Sequence, residues 1–188
     1  THLTHVNGSI AAPQGFRAAG VFCNIKRLGT GKGSNKGQKR DLALIVSEVP
    51  ATVAGLFTTN QVCAAPVKVC LQHIRTGLAR AVVANSGNAN ACTGAQGMRD
   101  ALAMTKLTAA AVAASPAQIE GGARTANSSR ARERDFRVEY VQVASTGRIG
   151  MPMPMANVKR GIAAAAKLLS QAQENARHVA EAIMTSDT

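Results

Sequence analysis

The sequence predicts an α/β domain, one sheet packed with helices. Three observations lead there. Short apolar runs bounded by turn residues fill the first half of the chain, and alanine-rich stretches with helical spacing fill most of the second. With 46% of its 188 residues hydrophobic, the chain can bury a core of ordinary size. One domain over residues 1–188 is expected, with basic loops at residues 26–40 and 120–137.

In chain order, residues 42–47 form an apolar run closed off by Asp41 on one side and by Glu48 and Pro50 on the other, as a buried strand requires. Residues 53–58, 67–71 and 81–84 repeat that composition at short spacing and are predicted as further strands of the same sheet. From Met98 to Ala114 alanine dominates, with Leu102, Met104, Leu107 and Val112 among it, and Pro116 follows. Such a stretch favours helix and stops before the proline. Residues 138–144 alternate enough for a strand. Residues 157–170 place Val158, Ile162, Ala165, Ala166 and Leu169 on one helical face, and residues 173–184 read as a last helix.

The formal net charge of +12 raises nucleic-acid binding as a reading. Its distribution argues against it. Lys26, Arg27, Lys32, Lys36, Lys39 and Arg40 supply +6 without an acid, and five arginines of residues 124–137 outweigh Glu133 and Asp135. Both segments are rich in glycine or small polar residues and lack an apolar period, so they read as loops. Tyr140 is the only tyrosine and tryptophan is absent, which leaves few platforms on which bases could stack. No stretch of eighteen apolar residues is present, so no membrane span is expected. Cys23, Cys63, Cys70 and Cys92 lack metal-ligand spacing, and acids are few and unpaired. Buried free thiols in a reducing compartment are expected, with no metal site and no cofactor.

Three segments are candidates for chemistry. Asn85-Ser86-Gly87-Asn88-Ala89-Asn90-Ala91-Cys92-Thr93-Gly94 follows a strand and precedes a helix; it is either a turn-rich connection or a place where backbone amides face a ligand. It lacks the spacing of a phosphate loop and of a nucleophile elbow. In Ser145-Thr146-Gly147-Arg148-Ile149-Gly150 a hydroxyl precedes a glycine whose amide no side chain crowds, and two donors converging on one point are what an oxyanion requires. An ordinary glycine turn at a strand end would read the same. The third segment, Ala182-Ile183-Met184-Thr185, ends an apolar helical stretch. His2, His5, His73 and His178 lie apart from acids and cysteines in sequence, so a self-contained Ser-His-Asp or Cys-His set is not expected. His73 is read as a surface residue rather than a base.

Taken in order, these motifs stop being independent. Ala12-Pro13-Gln14-Gly15-Phe16-Arg17-Ala18-Ala19-Gly20-Val21, Asp41-Leu42-Ala43-Leu44-Ile45, Ala54-Gly55-Leu56-Phe57-Thr58-Thr59-Asn60, Ala64-Ala65-Pro66-Val67 and the three segments above closely resemble the amino-terminal part of the ornithine acetyltransferase, or ArgJ-type, family. The likeness covers nearly the whole chain. It implies a self-processing fold completed by a second chain: one precursor cuts itself into α and β, and the threonine that starts β serves as nucleophile, its own amino group taking the hydroxyl proton. The family moves acetyl from N-acetylornithine to glutamate, and many members also accept acetyl-CoA. By position, Thr146 and Gly147 match the family's oxyanion-hole pair and Thr185 a substrate-binding threonine.

The resemblance further implies an α2β2 assembly, no nucleic-acid partner, and a cytoplasmic location, or the mitochondrial matrix or plastid in a eukaryote. The family's Ala-Thr-Met-Leu cleavage motif does not occur here, so the nucleophile is expected beyond Thr188. Ser186 stands where a second threonine is common, Ala156 where an acid is common, and residues 120–140 are longer and more basic than usual. Two other readings remain open: a related self-cleaving amidase or peptidase, and a basic nucleic-acid-binding module.

Overall fold

The computed structural model describes residue 4 and residues 6–26, 39–115 and 136–185. Most of both expected basic loops lies outside these residues. The elements run β1 (Phe16–Val21), β2 (Leu42–Thr52), α1 (Ala65–His73), β3 (Leu78–Asn88), α2 (Gly94–Ala113), β4 (Val141–Arg148), α3 (Met155–Lys167) and α4 (Gln173–Ile183). The four strands form one mixed sheet in the order β1-β2-β3-β4. The first three are antiparallel, and β4 joins β3 in parallel after the crossover through α2.

The twofold alternation of the strands decides which helix goes to which face. Ala19 and Val21, Leu42, Leu44 and Val46, Ala81 and Val83, and Val141 and Val143 share one core cluster with Ala65 and Val69 of α1, Ala101, Met104 and Val112 of α2, and Val158 and Ile162 of α3. The residues between them, Ala18 and Ala43, meet Val179 and Ala182 of α4, with Ile45 and Ala84 at the margin. Three helices therefore cover one face and α4 the other.

The α4 face is built from small side chains so that a helix backbone can lie directly on it. A Cβ added to Gly20 would stand 2.1 Å from the carbonyl oxygen of His178, far inside van der Waals contact. Asn175 of α4 donates through Nδ2 to the Ala18 carbonyl at 2.7 Å, which fixes the helix along the strand.

Several expected elements differ. Residues 67–71 are not a strand but the middle of α1. Pro66 sits in the first helical turn, where its missing N–H costs nothing, and Ala65, Val69 and His73 fall at helical spacing on the buried side. Residues 53–58 form no strand: β3 begins at Leu78, and Thr52↔Leu78 is the last rung it can offer β2. Beyond it Leu56 is fully exposed, with no sheet to join. β1 was not predicted at all, because Phe16–Val21 holds two alanines and a glycine and one β-branched residue. The last strand starts three residues later than expected and continues through Arg148, since β3 extends to Asn88 and keeps it paired.

Gly20→Val should destabilise the full-length protein by about 3 kcal/mol, the upper end of ordinary overpacking, because the clash is with helix backbone and not with a movable side chain. Chemical unfolding of the variant against wild type measures it; a change below about 0.5 kcal/mol would mean that α4 does not rest on β1.

Candidate functional site

The candidate segments converge where β3 and β4 end side by side. The register pairs Asn85↔Ser145, Ser86↔Thr146 and Gly87↔Gly147, so Ser145–Arg148 of the second segment lie within the sheet and only Ile149 and Gly150 follow it. Alternation places Ser145 on the three-helix side, where its Oγ donates to Asn85 Oδ1 at 2.6 Å. Thr146 points to the opposite side. There α4 covers only the first three strands, and Ala144, Thr146 and Gly147 are exposed.

The direction of the Gly147 amide follows from its neighbours. Val143 donates and accepts at Cys70 of α1, and Val141 accepts from His73, all on the outer edge of β4. The Arg148 carbonyl, by contrast, accepts from Ala89 on the β3 side at 2.9 Å. Peptide groups alternate along a strand, so Ser145 and Gly147 direct their N–H groups to the outer edge. A hydroxyl on an uncovered face and an amide on an open edge meet at the peptide joining Thr146 to Gly147.

Glycine is obligatory there. Gly147 has φ of +129°, and a Cβ would lie 2.5 Å from the carbonyl carbon of Gly87. Gly87 is equally confined, with φ of +103° and a Cβ position 2.6 Å from Lys26 Cα. The backbone of residue 26, the end of β3 and the end of β4 are thus stacked with no room for a side chain between them.

The same stack positions the third segment. Ser86 Oγ, on the α4 face beside Thr146, donates to the Ala182 carbonyl. Lys26 Nζ donates to the carbonyls of Glu181 at 3.1 Å and Arg40 at 2.6 Å. A cation and a hydroxyl thereby satisfy carbonyls that the end of a helix leaves without partners. Arg40 meets the Glu181 carboxylate through its backbone N–H at 3.0 Å and its guanidinium at 2.7 Å. These bonds hold the last turn of α4, and Thr185, half-buried, follows it on the sheet face that carries Thr146.

The first segment spends its polar groups on structure. Asn85 Nδ2 donates to the Asn88 carbonyl, Asn88 Nδ2 to Met151 and Pro152, and Asn90 Nδ2 to Gly97. Thr93 Oγ1 donates to Asn90 Oδ1 at 2.7 Å. Asn90 and Cys92 adopt positive φ, which lets so short a link turn from β3 into α2. The turn-rich reading is the correct one for these side chains.

The cysteines divide. Cys23 is buried, and burial followed by the neighbouring Asp41 carboxylate pushes its thiol well up. Cys63 and Cys70 are half-buried and Cys92 is exposed, so the expectation of buried thiols holds for the first alone. His73 is buried, not on the surface, with Nδ1 2.8 Å from the Val141 carbonyl. Sequence reasoning missed Cys70 and His73 as partners of β4. Read as helix, their spacing of three would have put them on one face. Among the described residues no group of three or more His, Cys, Asp or Glu could hold a metal, and no helix is long and apolar enough to cross a membrane.

Residues 17–188 match the ArgJ family. The chain belongs to that family. It is 46% identical over 181 residues to the arginine biosynthesis bifunctional protein ArgJ of Symbiobacterium thermophilum, covering 96% of this chain and 37% of that protein. The ArgJ protein of Caldanaerobacter subterraneus is 42% identical over 97% of the chain and again 37% of its own length. The chain therefore spans little more than a third of these ArgJ relatives. Two solved structures share the fold. The ArgJ protein of Bacillus halodurans superposes with a TM-score of 0.75 at 34% identity, covering 96% of this chain and 78% of that one. Ornithine acetyltransferase of Mycobacterium tuberculosis, solved with ornithine, gives 0.78 at 38% identity over 100% of this chain and 83% of that one. The expected α/β fold, a mixed sheet packed with helices, is that of the ArgJ structures.

The Arg40–Glu181 contact gives the site a pH signature. Burial alone would raise the Glu181 pKa, but the Arg40 amide and guanidinium, with Lys26, outweigh it and hold it below the ordinary carboxylate value. A lowered pKa contributes stability that is complete above the unfolded value, about 4.3, and is lost as pH falls through the folded value. The melting-temperature gap between wild type and Glu181→Gln should be full at pH 6 and shrink as pH falls below the unfolded value, about 4.3, and on through the lowered folded value. A gap that stays constant across that range would remove the ion pair from the account.

Proposed function

We propose that the protein is a glutamate N-acetyltransferase of arginine biosynthesis, transferring acetyl from N2-acetylornithine to glutamate through an acetyl-threonine intermediate. The observation that carries this reading is the Thr146–Gly147 peptide, its hydroxyl on an uncovered sheet face and its amide at an open strand edge, in a chain whose fold matches an ornithine acetyltransferase solved with ornithine. Residues 1–188 act as one α-chain domain. The nucleophile is the first residue of a β chain from the same precursor, and the working assembly is α2β2. Acetyl-CoA serves as an alternative donor, and no cofactor takes part. The location is the cytoplasm, or the mitochondrial matrix or plastid in a eukaryote.

In this reading the β-chain threonine gives its hydroxyl proton to its own α-amino group and attacks the acetyl carbonyl carbon. The carbonyl oxygen takes up the negative charge, and the Thr146 hydroxyl and Gly147 N–H donate to it. Each donor lowers the barrier by about 3 kcal/mol, because both are fixed before the charge develops. Collapse breaks the carbon–nitrogen bond, and the proton held by the amino group leaves with ornithine. Glutamate's amine then attacks the acetyl ester, giving a proton to the threonine's α-amino group and meeting the same two donors; collapse breaks the ester bond, and that proton returns to the threonine oxygen. Thr185 contacts the bound amino acid. Because the donors act on the tetrahedral species and not on the ground state, their loss falls on kcat more than on KM.

Thr146→Ala in the full precursor should lower the rate of transfer from N-acetylornithine to glutamate by about two orders of magnitude or more, with self-cleavage intact. Steady-state kinetics with N-acetylornithine and with acetyl-CoA as donors measure it. A correctly cleaved wild-type protein that transfers from neither donor, but hydrolyses amides, would make it an amidase on the same scaffold.

A further inference from the structure

Cys70, half-buried, and His73, buried, sit one helical turn apart on α1, and both reach the outer edge of β4 (Val141–Arg148). A strand at the edge of a sheet has one row of N–H and C=O groups without strand partners. Along the first half of β4 that row is taken up by side chains. Cys70 Sγ donates to the Val143 carbonyl at 3.1 Å and accepts from the Val143 N–H at 3.3 Å, so a single atom occupies both groups of one residue. The His73 ring meets the Val141 carbonyl at 2.8 Å. The next two outward-facing residues are Ser145 and Gly147.

We infer that Cys70, with His73 beside it, is a positioning residue for the reaction: it sets the plane of the β4 peptides and through them the aim of the Gly147 N–H. This rests on the oxyanion reading of Thr146 and Gly147 given above. A strand transmits the orientation of its peptide groups along its length, and Gly147 is four residues, two outward steps, from the Cys70 clamp. Its φ lies where only glycine is at ease; the close contact with Gly87 fixes where this peptide sits, and the clamp upstream adds to what sets its tilt. Burial pushes the Cys70 thiol pKa up, more than its hydrogen bond to Val143 lowers it. The group stays a neutral thiol and can donate and accept at once. An alanine would leave Val143 without either outer partner, so the β4 peptides would be held from the β3 side alone.

The test compares Cys70→Ala, Cys70→Ser and Cys70→Val in the full, self-cleaved protein. Cys70→Ala should lower kcat for acetyl transfer about tenfold or more while KM for N-acetylornithine stays within about twofold, as small displacements of a fixed donor do. Cys70→Ser, whose hydroxyl also donates and accepts, should recover most of the loss. Cys70→Val fills the volume without a donor and should not, which separates hydrogen bonding from packing if the alanine variant does not fold. Combined with Thr146→Ala, the Cys70→Ala loss should shrink, since both act on one oxyanion and their effects do not add. Wild-type kcat in folded Cys70→Ala, or full additivity in the double variant, overturns the inference. If the wild-type protein transfers no acetyl group, it is the functional reading that falls. A crystal structure of Cys70→Ala then decides the positioning alone: an unmoved Gly147 peptide refutes it.

Discussion

The arrangement turns on one buried carboxylate. Asp41 is fully enclosed at the start of β2, and it accepts from the amides of Cys23 at 2.7 Å, Ile25 at 2.6 Å and Lys26 at 3.1 Å. A carboxylate away from water is costly unless its lone pairs are used, and three backbone donors use them. Asp41 also ties the sheet together through its main chain, donating to Val21 and accepting from Ser86. One residue thus joins the segment after β1, the start of β2 and the end of β3. The turn it stabilises brings the backbone of Lys26 against Gly87, and Gly87 against Gly147.

From that turn the two halves of the candidate site are assembled by different means. On one side the contact is steric: backbones meet where two glycines leave space, and the crossing fixes how β4 ends. On the other it is polar, with the Lys26 ammonium, 155 residues away in sequence, reaching the carbonyl end of α4. Lys26 is itself buried, so its charge is stabilised by carbonyl dipoles and by the nearby Glu181, and not by water. The donors proposed for the oxyanion and the threonine proposed for substrate contact therefore share a foundation, although neither touches Asp41.

The sequence exposed the candidate site more readily than the sheet beneath it. Thr146, Gly147 and Thr185 each read alone as an ordinary strand or helix end, and only the order of their segments along the chain, which resembles one family, singles them out. The helices at residues 98–114, 157–170 and 173–184 were legible to within a few residues because their apolar spacing is local. What escaped was set by tertiary partners. Residues 67–71 carry β-branched residues that suggest a strand, yet the proline before them and the burial of every third or fourth residue make a helix. β1 has almost no strand-forming composition, because α4 must lie against it and demands alanine and glycine. Val53 and its successors have the composition of a strand and no neighbour to pair with. Asp41 looked like a boundary, and its burial is visible only once three amides are seen around it.

Both outer strands of the sheet are stoppered. β1 forms a two-bond bridge between Ala18 and Ser170, while on β4 the thiol of Cys70 and the ring of His73 take the positions a fifth strand would use. Among the described residues, α1 makes no such bond to β4 beyond Val143. Edge strands elsewhere invite aggregation and are commonly guarded with charge or proline. Here the guard is a nine-residue helix laid alongside, whose thiol and imidazole occupy the outer groups of Val143 and Val141.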